Sequence, residues 1–398
     1  MGRRPVAVSG PRLRVLCTSQ PGAAHLLPMV DVLREMSRRG HQVCVASAPS
    51  MAGLTAAYGL TLAPVGLDFR VGDEPRLVPG LAAARARRER DFPYTRKVLV
   101  ETLAQAALPG IVRLVDQWRP DVIVRDPVEF AGLAAAEAAG LPHLTGRENR
   151  FLPLPVWHSE LGGALAALGQ AAGAGELEAT SLYRYLGLAP ALPAFVTAAT
   201  VLPDPREFGA HVAPTMRFIR PRTPRRGAGP MPGTGEMAAS GPRGAVLITF
   251  GTVFDTEEDL RASAAAAMRA TQRPVIWADR GRGWLDFDDV LPRCRVVVTV
   301  GGFNTIMAAL RYGVPLVVIP AGADHQTNAA RCSALGVGVV MEREQLSGAT
   351  LRASIELVAG DPSFAARAAE LAAEWASLPD ADWATSQIEE LAWARPGR

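Results

Sequence analysis

Apolar residues recur along this chain in two rhythms that alternate in a regular order. Residues 13–18 form a short, β-rich apolar run. After a glycine-containing loop, Leu26, Met29, Val30, Leu33 and Met36 return at the spacing that gathers side chains on one helix face, which predicts a helix over 26–39. Gly40 stands where a C-cap glycine belongs, and 42–46 is a second apolar run. Strand, helix and strand in that order make a βαβ unit, with parallel strands and a right-handed crossover. The order returns at 121–124, a short strand, followed by a helix over 127–139 and a turn at Gly140-Leu141-Pro142. Residues 79–109 are rich in Ala and Arg and read as helix interrupted at Pro93. Residues 150–206 are proline-punctuated and weakly periodic, and read as loops and short helices covering a cleft.

A break follows. Residues 220–244 are rich in Pro, Gly and Arg without apolar periodicity, which is linker chemistry. A new βα series starts at 245–250 and continues through 296–299 and 316–319. The expected fold class is therefore α/β, with two facing doubly wound, Rossmann-like domains. The N-terminal domain is 1–219, the linker 220–244 and the C-terminal domain 245–398, whose last helix is expected to pack back on the N-terminal domain. In open α/β sheets ligands sit at the carboxyl ends of the strands, so the cleft between the domains is the expected site.

Composition narrows the function classes. The chain has 398 residues, 48% hydrophobic and 20% charged, the balance of a globular protein. A net charge of +3 does not call for nucleic acid. No run of about twenty uninterrupted apolar residues suggests a membrane span, and the N-terminus lacks a signal-peptide core, so a cytoplasmic location is expected. Cys17, Cys44, Cys294 and Cys332 show no CxxC spacing and read as buried thiols. His41, His143, His158 and His211 show no metal-ligand spacing, and no metal or cofactor is expected.

The segment Gly301-Gly302-Phe303-Asn304-Thr305 is a tight turn between a strand and a helix. Glycines let the backbone approach a ligand, and the amides of Asn304 and Thr305 would favour a phosphate. Downstream, Gly313-Val314-Pro315 leads into a buried strand that ends at Asp324 and His325. With Phe250-Gly251-Thr252, Trp284-Leu285-Asp286, Val290 to Cys294 and Asn328 to Arg331, this order and spacing resembles the family 1 glycosyltransferases of the GT-B fold. Within them it is similar to the bacterial enzymes that glycosylate macrolides, enediynes and aromatic polyketides. The resemblance implies a nucleotide diphosphate sugar, dTDP- or UDP-linked, as donor and a hydrophobic small molecule as acceptor. It implies donor contacts from Thr252, Trp284 at the nucleobase, Gly301, Gly302, Asn304 and Thr305 at the diphosphate, and Asp324 and His325 at the sugar.

On the acceptor side, His25 opens the first helix. An imidazole with an ordinary pKa near 6.5 suits removal of an acceptor proton. The resemblance assigns His25 as that base and Asp126 as its carboxylate partner. Asp126 before Pro127 also reads as a helix N-cap, and Glu129 is the alternative carboxylate.

The chain departs from the family pattern at Val300, where a phosphate-binding histidine is usual, at His325, where glutamine is usual, and at Ala308. The short interval between the strand at 274–277 and Trp284 leaves no room for a further βα unit, because a parallel crossover needs a dozen or more residues. Three functions remain open: an inverting deoxysugar transferase, a pseudo-glycosyltransferase serving as a binding or auxiliary partner, and a nucleotide-sugar epimerase. Homodimerisation is open as well.

Overall fold

The first apolar run becomes strand β1 (Arg14–Thr18), whose Val15, Leu16 and Cys17 are fully buried. A parallel strand covered on both faces shows no alternation, which explains its continuous apolar reading. The computed structural model describes residues 10–69, 77–78, 94–147, 151, 153–198, 212–221, 244–250, 258–269, 271, 273–278, 285–322 and 324–394. The chain divides into two compact units: Met1–Pro190 with Ala210–Gly227 and Pro379–Arg398, and Ala191–Gly209 with Ala228–Leu378.

In unit 1, the helix Ala23–Arg38 buries Leu26, Met29, Val30, Leu33 and Met36, the face read from the sequence. Gly40 follows at φ 91°, a left-handed backbone that favours glycine. With β2 (Gln42–Ser47), β3 (Thr61–Pro64), β4 (Val122–Arg125), β5 (His143–Thr145), β6 (Gly187–Ala189) and β7 (Met216–Phe218), β1 forms a seven-stranded sheet of order β3-β2-β1-β4-β5-β6-β7. Every pairing is parallel.

Three readings are corrected here. The helix expected over 127–139 starts later, at Ala131, and ends at Ala138. Residues 150–206 contain a long helix, Leu154–Ala172, rather than short ones only. Its buried Trp157, Leu161, Leu165 and Leu168 have helical spacing, but Pro153, Pro155, Gly162 and Gly163 obscure it in the sequence. Helix does not stop at Pro109: a wide-turn stretch, Thr95–Ala104, runs into Gln105–Trp118. Residues 79–93 lie outside the described residues. By length and apolarity Thr95–Trp118 matches a membrane span. Its Val98, Leu103, Leu108, Ile111 and Val115 are packed in the core of unit 1.

The C-terminal helix Ala381–Trp393 also belongs to unit 1 and buries Ala384, Ile388 and Ala392 with the first helix and β1.

Unit 2 is built on β8 (Ala245–Thr249), β9 (Val275–Ala278), β10 (Cys294–Thr299), β11 (Leu316–Val318) and β12 (Gly338–Val340), all parallel in the order β12-β11-β10-β8-β9. Between β9 and β10 the described residues hold only single helical turns, Phe287–Val290 and Leu291–Arg293. Residues 279–284 lie outside the described residues. The segment Ala191–Gly209, read from the sequence as part of the first domain, clusters with unit 2. Phe195 explains the grouping: its ring meets Phe303 edge-on at 6.1 Å and lies under the Arg331 guanidinium at 5.7 Å.

Candidate active site

In unit 1 the chemistry collects at the carboxyl ends of the neighbouring strands β1, β4 and β5. The register pairs Thr18 with Arg125 and Arg125 with Thr145, so the residues that follow each strand emerge side by side. His25 lies in the first turn of the helix after β1, and Asp126 directly follows β4. His25 Nδ1 and Asp126 Oδ2 are 2.5 Å apart. An ionised carboxylate only accepts, so Nδ1 carries the proton of this bond and Nε2 points away from the carboxylate. Asp126 is fully buried, whereas the His25 side chain keeps 30% exposure and is open to an acceptor.

Burial pushes the Asp126 carboxyl up, but the charges of His25 and Arg147, the His25 hydrogen bond and the Val128 amide together hold it below the ordinary carboxylate value. Backbone geometry supports the placement. The Asp126 amide donates to Thr18 O at 2.9 Å, and the Gln20 amide donates to Asp126 Oδ2 at 3.4 Å.

The N-cap reading of Asp126 is thereby corrected: the helix cap is Phe130, and the Asp126 side chain faces His25. Glu129 is not the partner of His25 either. Its two oxygens accept from the Ala131 and Gly132 amides at 2.9 and 2.8 Å, so it closes the start of the helix at Ala131. Burial first, and the Asp126 charge as well, raise the Glu129 carboxyl above its ordinary value despite the hydrogen bonds it accepts.

Glu129 also lines a small open recess beside the end of β1 in unit 1. Ser19, Gln20 and Ser47 add polar groups, and Val65 and Leu103 add apolar wall.

In unit 2, β10 runs through Val300 into Gly301 and Gly302, and the helix Phe303–Arg311 begins. Gly301 has φ 96°, and a Cβ there would lie 3.0 Å from Val318 Cγ1, so only glycine fits this turn. The Thr305 amide is not available to a ligand as expected; it donates to Gly302 O at 3.0 Å, leaving its hydroxyl. Asn304 is exposed on the same first turn.

Asp324 caps the helix His325–Ala334 and accepts from Asn328 Nδ2 at 2.8 Å; the same nitrogen donates to Gly301 O at 3.0 Å. Asn328 is thus the tie that draws Asp324 to the glycine turn. His325 is buried at 6% exposure, with Nε2 4.0 Å from where a Gly302 Cβ would stand. Val300 is 2% exposed and packed in the apolar core. Thr252 and Trp284 lie outside the described residues.

One residue and one contact escaped the sequence reading. Arg147, just past β5, stands with its Nε 3.5 Å from Asp126 Oδ1. The tie made by Asn328 was the other, although Asp-x-x-x-Asn across a helix start is a readable i, i+4 spacing. A lone arginine after a three-residue strand gave no such signal. Among the described residues no three His, Cys, Asp or Glu side chains gather as a metal set.

Comparison with known proteins gives the family. Residues 35–148 match the family described as Erythromycin biosynthesis protein CIII-like, N-terminal domain, and residues 253–391 match its C-terminal domain. The chain is 30% identical to an L-demethylnoviosyl transferase of Streptomyces niveus over 92% of this chain and 95% of that one. It is 27% identical to an aklavinone 7-beta-L-rhodosaminyltransferase of Streptomyces galilaeus over 95% and 96%. Among solved structures, glycosyltransferase VinC in complex with dTDP superposes with a TM-score of 0.72 at 23% identity, covering 96% of this chain and all of that one. Spinosyn rhamnosyltransferase SpnG complexed with thymidine diphosphate gives 0.73 at 21% identity, covering 95% and 100%.

Proposed function

The chain belongs to the EryCIII-like glycosyltransferases, with the two-domain, Rossmann-like GT-B fold, and from that premise we propose that it is an inverting enzyme moving a deoxysugar from a dTDP- or UDP-linked donor to a hydroxyl of a hydrophobic natural-product aglycone. It is a nucleotide-sugar-dependent glycosyltransferase of the secondary-metabolite type. The observation that carries the mechanism is the His25–Asp126 pair at 2.5 Å. His25 Nε2 takes the acceptor proton as the hydroxyl oxygen bonds to the anomeric carbon. The bond from that carbon to the diphosphate breaks on the opposite face, which inverts the configuration. Asp126 holds the imidazole tautomer and stabilises imidazolium.

We assign acceptor binding to residues 1–219, in the recess beside Ser19, Gln20 and Glu129, and donor binding to 245–398. There the amides at the start of the helix Phe303–Arg311 and the Thr305 hydroxyl meet the diphosphate, and Asp324 and His325 meet the sugar. The nucleotide assignment is supported by relatives of this fold solved with thymidine diphosphate. The four free thiols support a reducing, cytoplasmic compartment.

Thermal-shift titration with thymidine and uridine diphosphates tests the donor side. At a hundred times Kd, a bound nucleotide adds about 2.7 kcal/mol of stability. A flat response to both refutes the enzyme reading and favours the binding-partner alternative, which the absent side-chain donor at Val300 would explain. His25→Ala is expected to keep the shift while lowering transfer to a panel of macrolide and aromatic polyketide aglycones about 10²- to 10⁴-fold.

A further inference from the structure

We propose that Arg147 is a positioning residue of the His25–Asp126 pair, acting through the Asp126 carboxylate to keep His25 in its proton-accepting form. This rests on the function proposed above. The carboxylate is shared: Oδ2 faces His25 Nδ1 at 2.5 Å, and Oδ1 faces Arg147 Nε at 3.5 Å. Imidazole, carboxylate and guanidinium therefore form one chain across the ends of β1, β4 and β5.

The backbone fixes the third member as firmly as the first two. The Gly146 amide donates to Arg125 O at 2.8 Å, and a Cβ on Gly146 would lie 2.6 Å from Met29 Sδ and 2.8 Å from Val124 Cγ1. The chain is thus pressed against β4 immediately before Arg147. Arg147 is only 5% exposed and Asp126 is fully buried. Burying a guanidinium costs several kcal/mol, which its attraction to an ionised neighbour must offset.

Charge arithmetic gives the consequence. With neutral His25 the three groups sum to zero; with imidazolium they sum to plus one. Without Arg147 the same proton would take the pair from minus one to zero, a much easier step. Arg147 thus opposes premature protonation of His25, and a neutral imidazole is what the acceptor proton requires.

The other titratable groups facing Asp126 are Glu129, on the loop after β4, and Cys17, on β1. Both are pushed toward their neutral forms, by burial above all, with a further push from the Asp126 charge that is the smallest influence on Glu129. They do not duplicate the cation. The buried guanidinium of Arg125, on the strand before Asp126, donates to Leu182 O at 2.5 Å.

Titration of the His25 ring by NMR, with its signal assigned from His25→Gln, reads this without any substrate. Arg147→Met is expected to make His25 titrate about one pH unit or more higher, and Arg147→Lys to restore most of the difference. An unchanged His25 titration in folded R147M overturns the proposal. A second arm does not depend on that variant folding. Arg147→Gln keeps a polar side chain beside Asp126 without the charge, and is expected to raise the His25 titration in the same direction as R147M. No rise in folded R147Q overturns the proposal equally. Nucleotide binding by wild-type protein is read separately, so failure of the donor assignment and failure of this inference are distinguishable.

Discussion

Two carboxyls three residues apart, Asp126 and Glu129, are both deeply buried and yet shifted in opposite directions. Burial alone would raise both. For Asp126 the nearby His25 and Arg147 outweigh it; Glu129 has hydrogen bonds but no cation, and burial wins. The signs then follow from linkage. The folded-state value of Asp126 is depressed, so its stabilisation is present above the unfolded value of about 3.9 and is lost as pH falls through the folded value. Glu129 is raised, so the unfolded chain ionises first and stability falls as pH rises past about 4.3. In urea unfolding between pH 3 and pH 7, the destabilisation caused by Asp126→Asn is expected to shrink toward low pH, whereas that of Glu129→Gln grows. Parallel trends would show that the cations beside Asp126 do not act on it. The sequence left Asp126 open between helix cap and imidazole partner, because either role suits an aspartate before proline. What decides is that the helix starts at Ala131, where Glu129 can take the amides, and that choice depends on tertiary packing around Thr18 and Gly132.

Elements became legible in proportion to how much of their own core they carry. The helix Ala23–Arg38 and strands β1, β8 and β10 bury long apolar series and read directly. Strands β6 and β7 are three residues each and gain identity only from their neighbours, so no local pattern could announce them. The C-terminal helix Ala381–Trp393 is a case between these. A last helix packing back on the N-terminal domain was expected, but its seat is specified by polar groups far away in sequence. His41 Nδ1 accepts from the Leu13 amide at 3.0 Å, which leaves Nε2–H to donate to Glu389 Oε1 at 2.7 Å. Arg39 reaches Glu389 Oε2 at 2.7 Å and Asp382 Oδ1 at 2.8 Å. Arg39, His41 and Glu389 are all nearly excluded from water. Removing one partner of such a buried group strands the others, at a cost of about 3–5 kcal/mol. Glu389→Ala is therefore expected to lower the unfolding free energy of unit 1, read from urea titration, by that amount, with Glu389→Gln intermediate. A loss below about 1 kcal/mol would mean that the apolar face alone seats the helix.

At the scale of the whole chain, the repeated βα series showed two Rossmann-like sheets before any coordinates, because each series opens with a fully buried strand. The active-site reading travelled less far. A side chain at a strand end is placed by the register of neighbouring strands, and the register of β1, β4 and β5 cannot be read from any one of them. The same reasoning makes the glycine turn of unit 2, the proposed donor site, a local structure. Asn328 of the helix His325–Ala334 donates to Gly301 O in the turn between β10 and the helix Phe303–Arg311, and to Asp324 at its own helix start. A bound diphosphate should therefore stiffen those elements first. Hydrogen exchange with and without saturating thymidine diphosphate is expected to slow amides at 301–306 and 324–329 at least tenfold, the equivalent of about 1.4 kcal/mol of added local stability. Gly301→Ala should abolish that protection, since its φ of 96° and the 3.0 Å approach to Val318 leave no room for a methyl group. Protection appearing only around residues 18–25 and 126–147 would place the nucleotide in unit 1 and overturn the assignment of the two sites.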